Sequence, residues 1–287
     1  MSSRSEPLTP ALLRGWPLPE PAGSKYGRGQ VVVVGGARTS PGAALLAATA
    51  ALRVGAGRLT LAVARSVAVA SAVALPESGV LGLPETESGA VDGTGTEILA
   101  TDLHDADAVL VGPGLDDPGR TAELLQALAP QIGKRIPVLL DAFALGVLAD
   151  VPDVQERLRG RLVLTPNVKE AEALLDGAEL DDETSLRIAD RFGAVVSCRG
   201  TVAAPDGRTW TVSTGEEGLA TSGSGDVLAG ALVGLLARGA EPAQAACWAT
   251  HLHAAAGDRL AARVGRIGFL ARELLDELPA LLTELAP

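Results

Sequence analysis

The residues best suited to chemistry form the run Leu219-Ala220-Thr221-Ser222-Gly223-Ser224-Gly225-Asp226, which leads into the apolar stretch VLAGALVGLLARG. Glycines just before an apolar helix leave N–H groups free to converge on an anion, and the helix dipole adds partial positive charge there. The Asp226 carboxylate suits a base that takes a proton from a substrate hydroxyl while neighbouring amides stabilise a phosphoryl group. It equally suits a helix cap, worth about 1 kcal/mol. Spacing leaves both roles open.

A second constellation is Thr165-Pro166-Asn167-Val168-Lys169-Glu170. Asn167 and Glu170 are three apart at a helix start, where an amide and a carboxylate suit Mg²⁺ through water. The same pair suits a capping box, with Asn167 as N-cap and Glu170 at the third helical position. His251 and His253 lie two apart in AACWATHLHAAAGD, so they point to different faces with no third ligand near in sequence, and a core or interface place is expected. Cys198 and Cys247 form no C-x-x-C pair and have no base beside them, so buried, inert thiols are expected. Neither a G-x-x-x-x-G-K-S/T loop nor a G-x-G-x-x-G fingerprint occurs.

The elements that must position these residues alternate regularly. Apolar runs at 30–35, 58–64, 107–111, 136–141 and 161–165 each end in a turn or polar residue and lead into a helical pattern, as parallel βαβ units require. Helices are expected at 41–54 and near 65–74, and then at 225–238, 242–262 and 270–285. Runs at 194–198, 201–204 and 208–213, with Pro205-Asp206-Gly207 between the last two, predict a β-meander at one sheet edge. Ligands in open parallel sheets lie beyond the carboxyl ends of the strands. Gly35-Gly36, Gly112-Pro113-Gly114, Asp141 and Thr165-Pro166-Asn167 all stand there, and the glycines at 35–36, 112–114 and 223–225 are expected to line one edge where backbone amides hold phosphate. Residues 1–28, rich in proline, read as an extended arm ahead of one catalytic domain over 29–287.

Composition agrees with a three-layer α/β protein. The 287 residues are 47% hydrophobic but only 2% aromatic, so Ala, Val and Leu must build the core. A net charge of −11 repels a phosphate backbone, so no nucleic-acid partner is expected, although a compact phosphate can still bind to local amides. The N-terminus has no continuous apolar signal region, and the apolar stretch 227–237 is too short for a bilayer. No membrane association and a cytoplasmic location are expected.

Five segments in order, VVVVGGARTSPGAALLAATAALRVGAGRLTLAV, VLVGPGL, LLDAFAL, LTPNVKEAEALL and LATSGSGDVLAGALVGLLARG, resemble the ADP-dependent NAD(P)H-hydrate dehydratases of the ribokinase-like superfamily. The likeness runs from about Gly29 to about Leu278. It implies a ribokinase-like α/β/α sandwich that removes water from NAD(P)H hydrate at the expense of ADP or ATP with Mg²⁺, probing kinase logic: the ring hydroxyl is phosphorylated, then phosphate leaves. By this resemblance Asp226 is the catalytic base and Gly223, Ser224 and Gly225 form the anion hole. Ala43, Gly114 and Asn167 line the hydrate pocket, Arg199, Gly200 and Thr201 bind the adenine nucleotide, and a homotetramer is implied. Many members carry an epimerase domain ahead of the dehydratase, and the short stretch before Gln30 leaves no room for one, so any epimerase is expected on a separate protein.

Three departures from the family pattern fall at these contacts. Phe143 interrupts D-A-D-A-L. Asn167 and Val168 replace histidine and proline in T-P-H-P-x-E. The Lys-Gly-x-x-Thr segment is shortened to Cys198-Arg199-Gly200-Thr201. Two alternatives accordingly stand beside a working dehydratase: a small-molecule kinase, since N-x-x-E resembles the magnesium motif of sugar-kinase relatives, and a non-catalytic nucleotide-binding relative.

Overall fold

The computed structural model describes residues 5–20, 23–212, 215 and 217–285. Ten strands form one sheet: β1 (Glu6–Pro7), β2 (Gln30–Val34), β3 (Arg58–Ala64), β4 (Gly79–Leu83), β5 (Ala108–Val111), β6 (Val138–Leu140), β7 (Leu162–Leu164), β8 (Val195–Cys198), β9 (Thr201–Ala203) and β10 (Thr209–Thr211). Their order is β1-β10-β9-β8-β7-β6-β5-β2-β3-β4. From β4 to β8 every pairing is parallel, whereas β8-β9 and β9-β10 are antiparallel, which is the expected meander edge. The helices are α1 (Pro10–Gly15), α2 (Pro41–Arg53), α3 (Arg65–Ala74), α4 (Ala100–Asp105), α5 (Pro118–Leu128) and α6 (Phe143–Gly146). They continue with α7 (Pro152–Leu158), α8 (Val168–Leu174), α9 (Thr184–Phe192), α10 (Ser224–Ala237), α11 (Pro242–Arg263) and α12 (Ala271–Leu285).

Strand alternation divides the core in two. Val31 and Val33 face one apolar cluster with α2, α10, α11 and α12, while Val32 and Val34 face another with α5, α7 and α9. A strand buried on both faces needs apolar residues at every position, which is why the unbroken valine run of β2 forms the middle of a three-layer sandwich. On the first face α10 lies close against α2. A Cβ at Gly230 would sit 2.1 Å from the Ala47 carbonyl oxygen, and one at Gly234 would sit 2.7 Å from that of Ala51. Small residues four apart on both helices permit this approach, so the start of α2 and the start of α10 hold a fixed relation.

The segment expected as an extended arm contains β1 and α1. Thr9 caps α1 by accepting from the Leu12 N–H, Pro10 opens the helix, and Leu8 and Leu13 are buried. A Thr-Pro start signal ahead of leucines outweighed the proline content in local preference. β4, partly buried at the end of the sheet, corresponds to none of the expected strand runs. Among the described residues, no helix is long and apolar enough to cross a membrane.

Candidate active site

The first turn of α10 is built as an anion cradle. Gly223 caps it with φ +89°, and a Cβ there would meet Leu46 Cδ1 at 2.6 Å and Ala271 Cβ at 3.2 Å, so both conformation and space demand glycine. The Ser224 N–H is spent on the Thr221 carbonyl at 3.2 Å, so it is not one of the free donors expected in the anion hole. The N–H groups of Gly225 and Asp226 belong to the first turn and have no intrahelical acceptor, and a Cβ on Gly225 would meet nothing within 4 Å. Two donors and the helix dipole therefore face open space. Asp226 makes no side-chain cap bond; Gly223 occupies the cap. Burial, followed by the charge of Glu170, pushes the Asp226 pKa up to about 6.

At the carboxyl end of β6, Asp141 is buried and accepts a hydrogen bond from Thr165 Oγ1 at 2.7 Å. Burial pushes its pKa up to about 7 against the opposing effect of that hydroxyl, and the charges of Asp226 and Glu170 push further the same way. The next residue, Ala142, has φ +51° and ψ −128°, a conformation that strains any residue with a Cβ. The strained turn presents Phe143 to solvent as the first residue of α6.

Asn167 and Glu170 form the full capping box of α8. Asn167 Oδ1 accepts from the Glu170 N–H at 3.1 Å, and Glu170 Oε2 accepts from the Asn167 N–H at 2.9 Å. The cap occupies Asn167 Oδ1 and Glu170 Oε2, so the expected contact of this pair with Mg²⁺ through water falls to the remaining atoms of the two side chains, among them Glu170 Oε1. Among the described residues, no three His, Cys, Asp or Glu side chains form a metal-holding group. Burial raises the Glu170 pKa. Asp141, Asp226 and Glu170 thus share a region short of positive charge, which fits a cation carried in on a ligand.

The two glycine turns behave differently from the cradle. The N–H groups of Gly36 and Ala37 donate to the carbonyls of Pro113 and Gly114, both at 2.8 Å, and Gly112 N–H donates to Val34 at 3.0 Å. These amides lock the β2–α2 loop to the β5–α5 loop, so the N–H groups of Gly35, Gly36, Ala37 and Gly112 are spent on carbonyls and do not hold phosphate as expected. Ala43 and Gly114 do come together, because a Cβ on Gly114 would lie 3.2 Å from Ala43 Cβ and 2.2 Å from the Ser40 carbonyl oxygen. Beside Ser222, between α2 and α12, opens a cavity of about 640 Å³ walled by Leu45, Leu46, Leu270 and Leu275.

Arg199 and Gly200 are the two turn residues between β8 and β9, where Cys198 pairs with Thr201. Both have positive φ, +51° and +75°, as a two-residue hairpin of the I′ type requires. The shortened motif is this tight turn, and it leaves Arg199 exposed.

His253, expected in the core or at an interface, stands on α11 facing the start of α10. The residue is half-buried, its Nε2 lies 2.8 Å from Ser224 Oγ and 3.0 Å from the Ser224 carbonyl oxygen, and desolvation of the ring pushes its pKa down to about 4. Only the 29-residue separation hid the pairing. Cys198 and Cys247 are buried free thiols, pushed up to about 11 and about 12 by burial.

Residues 31–280 match the family model described as NAD(P)H-hydrate dehydratase. The chain belongs to that family. It is 42% identical to an ADP-dependent (S)-NAD(P)H-hydrate dehydratase of Xanthomonas campestris over 98% of both chains. It is 38% identical to a bifunctional NAD(P)H-hydrate repair enzyme of Moorella thermoacetica, covering 94% of this chain and 52% of that one. In structure it resembles the ADP/ATP-dependent NAD(P)H-hydrate dehydratase of Bacillus subtilis crystallised with ATP and Mg²⁺, with a TM-score of 0.78, 25% identity and 99% of both chains covered. A ribokinase-like protein of Enterococcus faecalis, 23% identical, shares the fold with a TM-score of 0.85 over 98% of this chain and 96% of that one.

Proposed function

We propose that the family member described here dehydrates (S)-NAD(P)H hydrate with ADP, and that the free amides of Gly225 and Asp226 beside the Asp226 carboxylate carry the chemistry. Those N–H groups open onto unfilled space at the positive end of α10, where a transferring phosphoryl group gains from fixed dipoles. Asp226, with its pKa near 6, is ionised at neutral pH yet basic enough to take the proton of the ring hydroxyl. The hydroxyl oxygen then forms its bond to phosphorus as the bond to AMP breaks. Phosphate leaves with the former hydroxyl oxygen, a ring proton is lost, and the double bond returns, giving NAD(P)H, AMP and phosphate. Ala43 and Gly114, held together at the mouths of β2 and β5, shape the hydrate side with Asn167, and the aliphatic surfaces near Ser222 suit a ligand ring in a chain poor in aromatics. Arg199, Gly200 and Thr201 serve the nucleotide, with Arg199 supplying charge from an exposed turn.

Magnesium would enter on the nucleotide phosphates, with Glu170 Oε1, left free by the capping box, available to its bound water; the ion supplies charge neutralisation. ATP is a second candidate donor, supported by the ATP and Mg²⁺ of the Bacillus subtilis relative. Cytoplasmic location and a homo-oligomer accompany the family reading. The test is recovery of reduced-nicotinamide absorbance from chemically prepared NADH hydrate, with ADP or ATP and magnesium. Recovery that depends on nucleotide and vanishes in Asp226→Asn is the expected result. Absence of recovery with either nucleotide overturns the reading.

A further inference from the structure

We propose that His253 is a positioning residue: it fixes the Ser224 hydroxyl as a hydrogen-bond donor to the anion held at the head of α10. The identity of that anion as the transferring phosphoryl group rests on the function proposed above, whereas the hydrogen-bond logic does not. His253 Nε2 lies 3.0 Å from the Ser224 carbonyl oxygen and 2.8 Å from Ser224 Oγ. A carbonyl oxygen only accepts, so Nε2 must carry a proton. With desolvation pushing the ring's pKa down to about 4, the neutral Nε2–H tautomer with a bare Nδ1 is the form present at neutral pH.

That single N–H is shared between the carbonyl and the hydroxyl, a three-centre arrangement of the kind common at helix ends. Ser224 Oγ therefore accepts from the ring. A serine hydroxyl has one proton and two acceptor positions, so its own proton must go elsewhere. No other side-chain partner of Ser224 occurs among the described residues. The neighbours along the turn are the unpaired N–H groups of Gly225 and Asp226, which already address the open space. Sending the hydroxyl proton to the same anion adds a third donor, one whose direction is imposed from α11. It also replaces the Ser224 N–H, which is spent within the turn. An acceptor-only partner in place of His253 would draw the hydroxyl proton away from the ligand.

The experiment combines ring ¹⁵N NMR of the wild-type protein with a double-mutant cycle. NMR should show protonated Nε2 and bare Nδ1 for His253, unchanged down to about pH 5. An Nδ1–H tautomer overturns the proposal. In the cycle, S224A should lower kcat by about 10²-fold with little change in KM for ADP, the size expected for one lost donor to transition-state charge. H253L should lower kcat in the same manner. The double variant should be no worse than S224A, and H253Q, which restores an amide N–H, should recover part of the loss. Additive losses, or a fall in thermal stability in H253L with kcat intact, overturn the proposal. Should H253L fail to fold, H253Q and the tautomer decide. Calorimetric binding of ADP across the same variants separates the two proposals. Coupled losses of ADP affinity with no hydrate turnover in the wild type defeat the proposed reaction and leave the positioning role standing.

Discussion

Replacing Asp141 by asparagine should make the protein more stable at alkaline pH. The buried carboxyl has its pKa pushed up to about 7 from an ordinary 3.8, with burial as the main cause. Between those values the folded state holds a proton that the unfolded chain has released, so stability falls as pH rises through this window and is at its lowest above 7. Three pKa units correspond to about 4 kcal/mol at about 1.4 kcal/mol each. Asparagine keeps an acceptor oxygen for the Thr165 hydroxyl and carries no charge, so it removes the penalty while preserving the 2.7 Å hydrogen bond. The gain should be about 4 kcal/mol at pH 8 and shrink to about 2 kcal/mol at pH 5. Urea unfolding of both proteins at the two pH values measures it. An equal change at both pH values, or a less stable variant at pH 8, refutes the assignment of a strongly perturbed carboxyl to this position. This buried carboxyl lies at the carboxyl end of the sheet, where the charge of Asp226 also acts on it.

Three further outcomes follow from the site. Gly225→Ala should fold normally, because its Cβ meets nothing within 4 Å, yet lose most turnover by filling the anion space, whereas Gly223→Ala should lower stability by about 1–3 kcal/mol through strain and contact with Leu46; thermal melts and initial rates distinguish them. In the wild type, kcat/KM should rise with pH through about 6 as Asp226 ionises, and Glu170→Gln should move this acid limb to lower pH, since removing a neighbouring negative charge favours the carboxylate; a pH–rate profile of both proteins reads the shift. Asn167→Ala should cost about 1 kcal/mol by breaking the capping box, while Asn167→Ser should retain stability and raise KM for the hydrate, as unfolding and steady-state kinetics together would show.

Much of the architecture was legible because strands and helices announce themselves locally. The apolar run 58–64 and the small-residue helix 65–74 match β3 and α3, and the Pro-Asp-Gly turn separates β9 from β10 as expected. Less visible were β4, whose Gly-Val-Leu-Gly-Leu is only partly buried at the sheet edge, and α1, whose Thr-Pro start lies within a proline-rich stretch. Within the site, G-S-G-D declared itself through its glycines and the helix behind it. The sequence did not say which glycine amides stay free, since that depends on carbonyls supplied by other loops: Pro113 and Gly114 consume those of Gly36 and Ala37, and Thr221 consumes that of Ser224.

The amino-acid sequence by itself determined the order of elements, the two-faced burial of the valine-rich strands and the placing of an acidic residue at a glycine-capped helix start, because each depends on neighbours within a turn or two. Tertiary structure alone decided that Asn167 and Glu170 are occupied with each other, that Asp141 shares an electrostatic region with Asp226, and that His253 reaches Ser224. Protonation and donor direction depend on burial and on partners distant in the chain, and those exist only once α11 has packed beside α10 and the sheet has brought the ends of β6 and β7 together.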